Sequence, residues 1–258
     1  MIISEQEIIS WLAAFIWPFF RIGSMFIALP VFSGQSVPAR IKVMLAALVT
    51  FVVIPVLPPV TDIELFSYSG FLVAVQQILL GITTGFILQM VFSIMLVAGQ
   101  SIAFSMGLGF ASLVDPATGI QVPVIAQIFI ISVSLLFLGV NGHLLLLEII
   151  IRSFETLPVS ASGLSKSGLW QVVAWSSQIF VGGVLLALPV MTAILFVNIS
   201  FGVASRAAPS LQIFGVGFPI TIMLGMVLIW IMLPDMLEGF SDFLAAGYAL
   251  ISELLKVT

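Results

Sequence analysis

Apolar positions in this chain come in long blocks, and the polar ones gather in short joints between them. Long runs with few charges predict membrane-spanning helices. The blocks cover residues 8–29, 43–57, 70–99, 122–138, 170–199 and 213–233, and the fourth extends, after a joint, through 144–151. Joints rich in Gly, Pro, Ser and Asn fall at 32–40, 58–64, 141–143, 157–168 and 205–210. The tail, 242–256, has helical apolar spacing with charges at its ends and predicts a short amphipathic helix. The expected fold is all-α: a polytopic, membrane-type protein of long kinked helices and hairpins, forming a single unit over 1–258.

Two features resist a plain bundle of six spans. The third block holds 30 uncharged residues, about 45 Å of helix against a hydrocarbon core of about 30 Å. Such a helix either tilts strongly or packs against protein instead of lipid. The second misfit is the placement of cations. With the N-terminus outside, Arg40, Lys42 and Arg206 fall inside, while Arg152, Lys166 and Lys256 fall outside. Three against three leaves no positive-inside signal. The expectation is a chain that buries much of its oily surface against other subunits.

Prolines and glycines refine this picture. Pro18, Pro55, Pro189 and Pro219 lie within or at the edges of apolar blocks, where they kink helices. Gly81 and Gly85 form a G-x-x-x-G, a close-approach face for helix packing. Gly99, Ala103, Gly107 and Ala111 continue a small-residue stripe at a spacing of four. That stripe leads into GLGFASLVDPATGIQVP (107–123), where Asp115 is the only formal charge between Glu64 and Glu148.

Composition settles the class. The chain is 61% hydrophobic and 7% charged, with a mean hydropathy of +1.32; soluble domains carry about 25% charged residues. It is an integral membrane type. Seven Lys and Arg scattered over the chain form no basic stripe, so no nucleic-acid partner is expected. The absence of cysteine excludes disulfides, thiolate metal sites and Cys nucleophiles. Glu5 and Glu7 stand where a signal peptide would be basic, so the first block is expected to stay in the mature protein.

Enzyme chemistry finds no foothold. An intramembrane aspartyl protease wants a Gly-x-Gly-Asp turn and a second Asp, but Gly107-Leu108-Gly109 is followed by Phe110, and Asp115 comes too late. A zinc protease needs H-E-x-x-H, and His143 is the single histidine. No phosphate-binding loop is present, and no cofactor or metal is expected. His143 reads as a polar residue at a helix break. Glu148 and Arg152 are four apart in the order that favours a helical ion pair. Arg206 either caps a helix end or binds a partner's acid, and Arg40 is likewise a partner or structural residue.

Arg21 lies inside the first block, and two readings stay open for it: snorkelling to an interface, or a protein partner or wet cavity. Met106 and Phe110 flank the glycine-rich segment. Met packs without a fixed shape and apolar constrictions gate by dewetting, so these two are candidates for a deformable gate, with core filling as the plainer role. Asp115 beside Pro116 favours a local turn. A small-solute transporter would need inverted repeats and binding groups at broken helices. No convincing repeat is visible, and polar groups are few. A non-gating assembly scaffold is the other alternative.

Several stretches resemble a known family, in matching order and spacing. They are PVFSGQSVPARIKV (30–43), QQILLGITTGF (76–86), MGLGFASLVDPATG (106–119), FLGVNGHLLLL (137–147) and LALPVMTAILFVNISFGVASRAAPSLQIFGVGFPI (186–220). Together they resemble the FliR/SctT family of type III secretion export-apparatus proteins. The resemblance implies a subunit of the bacterial inner membrane and flagellar basal body. Its partners would be FliP-like and FliQ-like subunits in a pseudo-helical hetero-oligomer, and an FlhB-like switch protein. Unfolded flagellar subunits would pass through the pore.

It also implies a FliP-like part over about 1–185 fused to a FliQ-like hairpin and C-terminal helix over about 186–258. A central loop would plug the pore, matching about 106–122 here. Met106, Gly107, Gly109, Phe110, Leu113, Val114, Asp115, Pro116 and Gly119 are the residues carried onto that plug.

Overall fold

The structure, a computed structural model, describes residues 5–33, 37–59, 63, 65, 67–108, 123–160, 163–207 and 217–257. Among them every regular element is helical. The order is α1 (Glu5–Ala28), α2 (Pro30–Ser33), α3 (Ala39–Val53) ending in a 3-10 turn (Ile54–Val56), and α4 (Tyr68–Ser105). Then follow α5 (Val124–Gly139), α6 (Gly142–Thr156), α7 (Lys166–Trp175), α8 (Ser177–Ala207) and α9 (Phe218–Leu255). Among the described residues five spans are long and apolar enough to cross a membrane, α7 and α8 counting together, and α5 with α6 makes a sixth if that bent pair is one span.

Two helices start on the same device. Ser67-Tyr68-Ser69-Gly70 opens α4 and Ser165-Lys166-Ser167-Gly168 opens α7. In each, the first serine's Oγ accepts the glycine N–H at 3.0 Å. The two serine hydroxyls of each pair also bond, at 2.7 and 2.9 Å. An N-cap oxygen satisfies one of the four amides that a helix start leaves unpaired. Ser67→Ala and Ser165→Ala are each expected to lower stability by about 1 kcal/mol, with Asp tolerated at either position. Thermal melting of the detergent-extracted protein checks this.

Breaks in the helices also have local causes. Asn141 adopts φ 57°, ψ 26°, a left-handed conformation that Asn tolerates better than most residues. It turns the fourth apolar block into α5 and α6, bent by 62°. The fifth block divides at Ser176 into α7 and α8. One expectation needs correction: 242–256 is not a separate short helix. α9 runs unbroken over 38 residues with Pro234 inside it. Its charges Asp235, Glu238 and Asp242 recur at helical spacing on an exposed face, while Met236, Phe240, Leu244, Ile251 and Leu255 form the buried face.

The chain divides into two compact units. One comprises residues 1–90, 140–175 and 245–258; the other comprises 91–139 and 176–244. In the first, α1 and α4 run parallel, since Arg21 meets Gln77 and Ala28 meets Gly85. The last turns of α9 are tied to α6, where Tyr248 donates to the Gly142 carbonyl at 2.7 Å and Thr156 to that of Leu255 at 2.6 Å. In the second, Phe92 stands edge-on to both Phe137 and Phe240.

α4 is apolar all round. Of its most apolar 18-residue stretch 67% is buried by the chain itself, against 11% for α3 and 22% for α9. Much of the overlong block is therefore packed against the chain itself.

Candidate functional site

The candidate plug begins where α4 ends, and that end is built with care. The Leu108 N–H bonds the Ala103 carbonyl at 2.9 Å and the Gly107 N–H bonds that of Phe104 at 3.0 Å. Gly107 sits at φ +82°. These are the two bonds and the left-handed residue of a Schellman stop, which satisfies helix-end carbonyls. A side chain at Gly107 would be strained, and it would also meet the Phe218 ring at 3.0 Å.

Met106 is 1% exposed. Its side chain lies on Gly225 of α9, where an added Cβ would stand 2.6 Å from the methyl carbon. The stripe above it is also occupied: an added Cβ at Gly99 would come within 2.5 Å of the Ala126 Cα, and Ala103 is fully buried. Met106 and Gly107 thus form a clamped base within the second unit. Gly109, Phe110, Ala111, Leu113, Val114, Asp115, Pro116 and Gly119 lie outside the described residues.

A second polar constellation sits inside the first unit. Arg21 is fully buried. Its Nε donates to Gln77 Oε1 at 2.8 Å. Nη1 donates to the Ser153 carbonyl and Oγ at 3.1 and 2.9 Å, and Nη2 to the Leu157 carbonyl at 2.9 Å. The guanidinium carbon also lies 4.0 Å from the Phe154 ring centre. Ser153 and Leu157 close α6, so the cation faces the carbonyl end of a helix, where the macrodipole is negative. Among the described residues all the hydrogen-bond acceptors of Arg21 are uncharged. Of the two readings left open for Arg21, snorkelling is excluded, and its partners are neutral groups on α4 and α6.

The other candidates are placed separately. Gly81 and Gly85 lie against α1: an added Cβ at Gly81 would fall on the Arg21 carbonyl oxygen and Ser24 Oγ, and one at Gly85 would stand 2.5 Å from Ala28 Cβ. Arg40 is exposed in the first turn of α3. His143 is the second residue of α6 and lines an apolar cavity of about 150 Å³ with Met25, Leu29, Leu45 and Leu146. Arg206 is exposed in the last turn of α8, where a cation suits the dipole. Glu148 and Arg152 pair at 2.8 Å. Gln77 and Ser153 escaped the sequence reading, although a Gln-Gln pair inside an oily block was a signal that something polar faces it.

A family model described as bacterial export proteins, family 1, matches residues 12–247. The chain belongs to this family. Flagellar biosynthetic protein FliR of Escherichia coli (strain K12) is 39% identical over 254 residues, 98% of this chain and 97% of that protein. The FliR protein of Bacillus subtilis (strain 168) is 30% identical over 229 residues, covering 87% of each. That of Pectobacterium carotovorum is 36% identical over 98% of this chain. As a member of the export family the chain is a membrane component of flagellar protein export, not an enzyme.

Proposed function

We propose that this chain is a pore-forming and sealing subunit of the flagellar export apparatus at the inner membrane and basal body, with 109–119 acting as a plug. The observation that carries this reading is the clamped base: a Schellman stop at Gly107 and the Met106 side chain wedged on Gly225. A plug must swing from a fixed point, and this helix end supplies one. Met106 then serves as an anchor rather than as a lumen-facing gate residue.

Partners of FliP-like, FliQ-like and FlhB-like type suit the apolar faces of α8 and α9, which the chain itself leaves largely uncovered. The pairing of α8 with α9, where Gly182 abuts Phe243 and Gly239 abuts Leu186, supports a FliQ-like hairpin in the C-terminal part, about 186–258.

Deleting 109–119 is expected to raise small-ion permeability of the assembled complex while assembly stays intact. Conductance of cells or proteoliposomes reads the first, and co-purification of partners the second. An ion-tight complex carrying the deletion would make the chain a scaffold rather than a seal.

A further inference from the structure

A groove of about 310 Å³ runs between α1, α3 and α4, lined by Phe19, Phe20, Ile27, Val43, Ala46 and Ile82 among others. Its floor is low because Gly23 and Ala46 meet there, an added Cβ at Gly23 standing 3.7 Å from Ala46 Cβ. Ser24 carries the one polar side chain in the lining, and its hydroxyl already donates to the Phe20 carbonyl at 2.6 Å. Nothing in the groove asks for a polar ligand. From Phe19 to Ile27 it extends about 12 Å. A single hydrocarbon chain fits along that floor and needs no polar partner there.

The charge at one end decides between apolar occupants. On α3, Arg40 precedes Val43 by three residues and Lys42 precedes Ala46 by four, so both cations share faces with groove residues. Between Glu7 and Asp62 the sequence holds no acid. Glu148, on the neighbouring α6, is paired with Arg152. Among the described residues neither Arg40 nor Lys42 has a carboxylate partner. Long basic side chains with apolar stems reach readily from such a groove to a headgroup.

We infer that this groove seats one acyl chain of an anionic phospholipid, with Arg40 and Lys42 meeting its phosphate. The lipid would fix this edge of the chain in the bilayer independently of any plugging by 109–119.

The test uses the full chain in its assembled complex, reconstituted with equal phosphatidylglycerol and phosphatidylethanolamine and then washed in mild detergent. Mass spectrometry of retained lipid is expected to find phosphatidylglycerol enriched and bound at one per chain. The double variant Arg40→Gln/Lys42→Gln should lower that retention about tenfold. Val43→Trp, which fills the groove from an exposed rim position, should abolish retention of both lipids.

A photo-crosslinking p-benzoylphenylalanine in place of Val43 supplies a readout that does not depend on wash stability. A lipid adduct supports the site; a protein adduct would assign the groove to a partner's side chains. Equal retention of the two lipids, or retention unchanged by the double variant, overturns the inference as well.

Discussion

Replacing Arg21 with Met is expected to be among the most damaging single changes in this chain, lowering stability by about 3–5 kcal/mol. Met replaces the aliphatic stem but stops short of the guanidinium, so the hydrogen bonds are lost together with some volume at the tip. Gln77 Oε1 and the Leu157 carbonyl would each lose the partner they have among the described residues. A buried acceptor left unpaired costs about 1–3 kcal/mol, and the carbonyl end of α6 would lose the guanidinium charge as well. Arg21→Lys should recover no more than half, because one ammonium cannot span Gln77, Ser153 and Leu157 as the planar fork does. Gln77→Leu should cost only about 1–2 kcal/mol, since the guanidinium keeps its bonds to α6.

Melting of the detergent-extracted protein, or its steady-state level in membranes, reads all three. A Met variant as stable as the parent would mean that desolvation of the cation cancels its bonds, as happens in some buried polar clusters.

The helices were legible because oily blocks leave few alternatives, but block edges and helix ends are set by different physics. The apolar pattern starts the third helix at residue 70 and stops it at 99, whereas the chain starts at Tyr68 on the Ser67 cap and stops at Gly107. Capping is local hydrogen bonding, which a hydropathy pattern does not see. Asp235, Glu238 and Asp242 end an apolar run without ending a helix, because they occupy one exposed face of α9.

Arg21 was visible as an anomaly, yet its partners lie 56 and 132 residues away. No local pattern can choose between snorkelling and a distant helix end. The glycine-rich segment stood out through its residues, whereas its anchor at Met106 and Gly107 is set by helix-stop hydrogen bonds and a contact to α9 that no local pattern displays.

Gly81→Ala is expected to match the Arg21 substitution in severity, although it adds one methyl group. That methyl would fall on the Arg21 carbonyl oxygen and Ser24 Oγ, with the Met25 nitrogen at 2.9 Å. Two of these are backbone atoms of α1 and cannot swing aside, so the helices must part. Gln77 lies one turn before Gly81 on the same face of α4, and its bond to Arg21 Nε is the first to stretch. The two predictions are therefore coupled. Gly81→Ala combined with Arg21→Met should cost clearly less than the sum of the single changes, whereas independent sites would add.

Gly85→Ala should cost less only because its overlaps are shallower, the Ala28 methyl carbon at 2.5 Å and the Met25 carbonyl oxygen at 2.9 Å, neither of which can swing aside. Gly202, inside α8, has nothing within 4 Å of an added Cβ. Alanine there should stabilise by about 0.5–1 kcal/mol, because it stiffens the unfolded chain and favours the helix. Opposite signs for the same Gly→Ala change, read by melting on one preparation, would separate close approach of backbones from helix propensity. If Gly81→Ala behaved like Gly202→Ala, α1 and α4 would not be held at glycine distance, and the burial of Arg21 between α1, α4 and α6 would need another support.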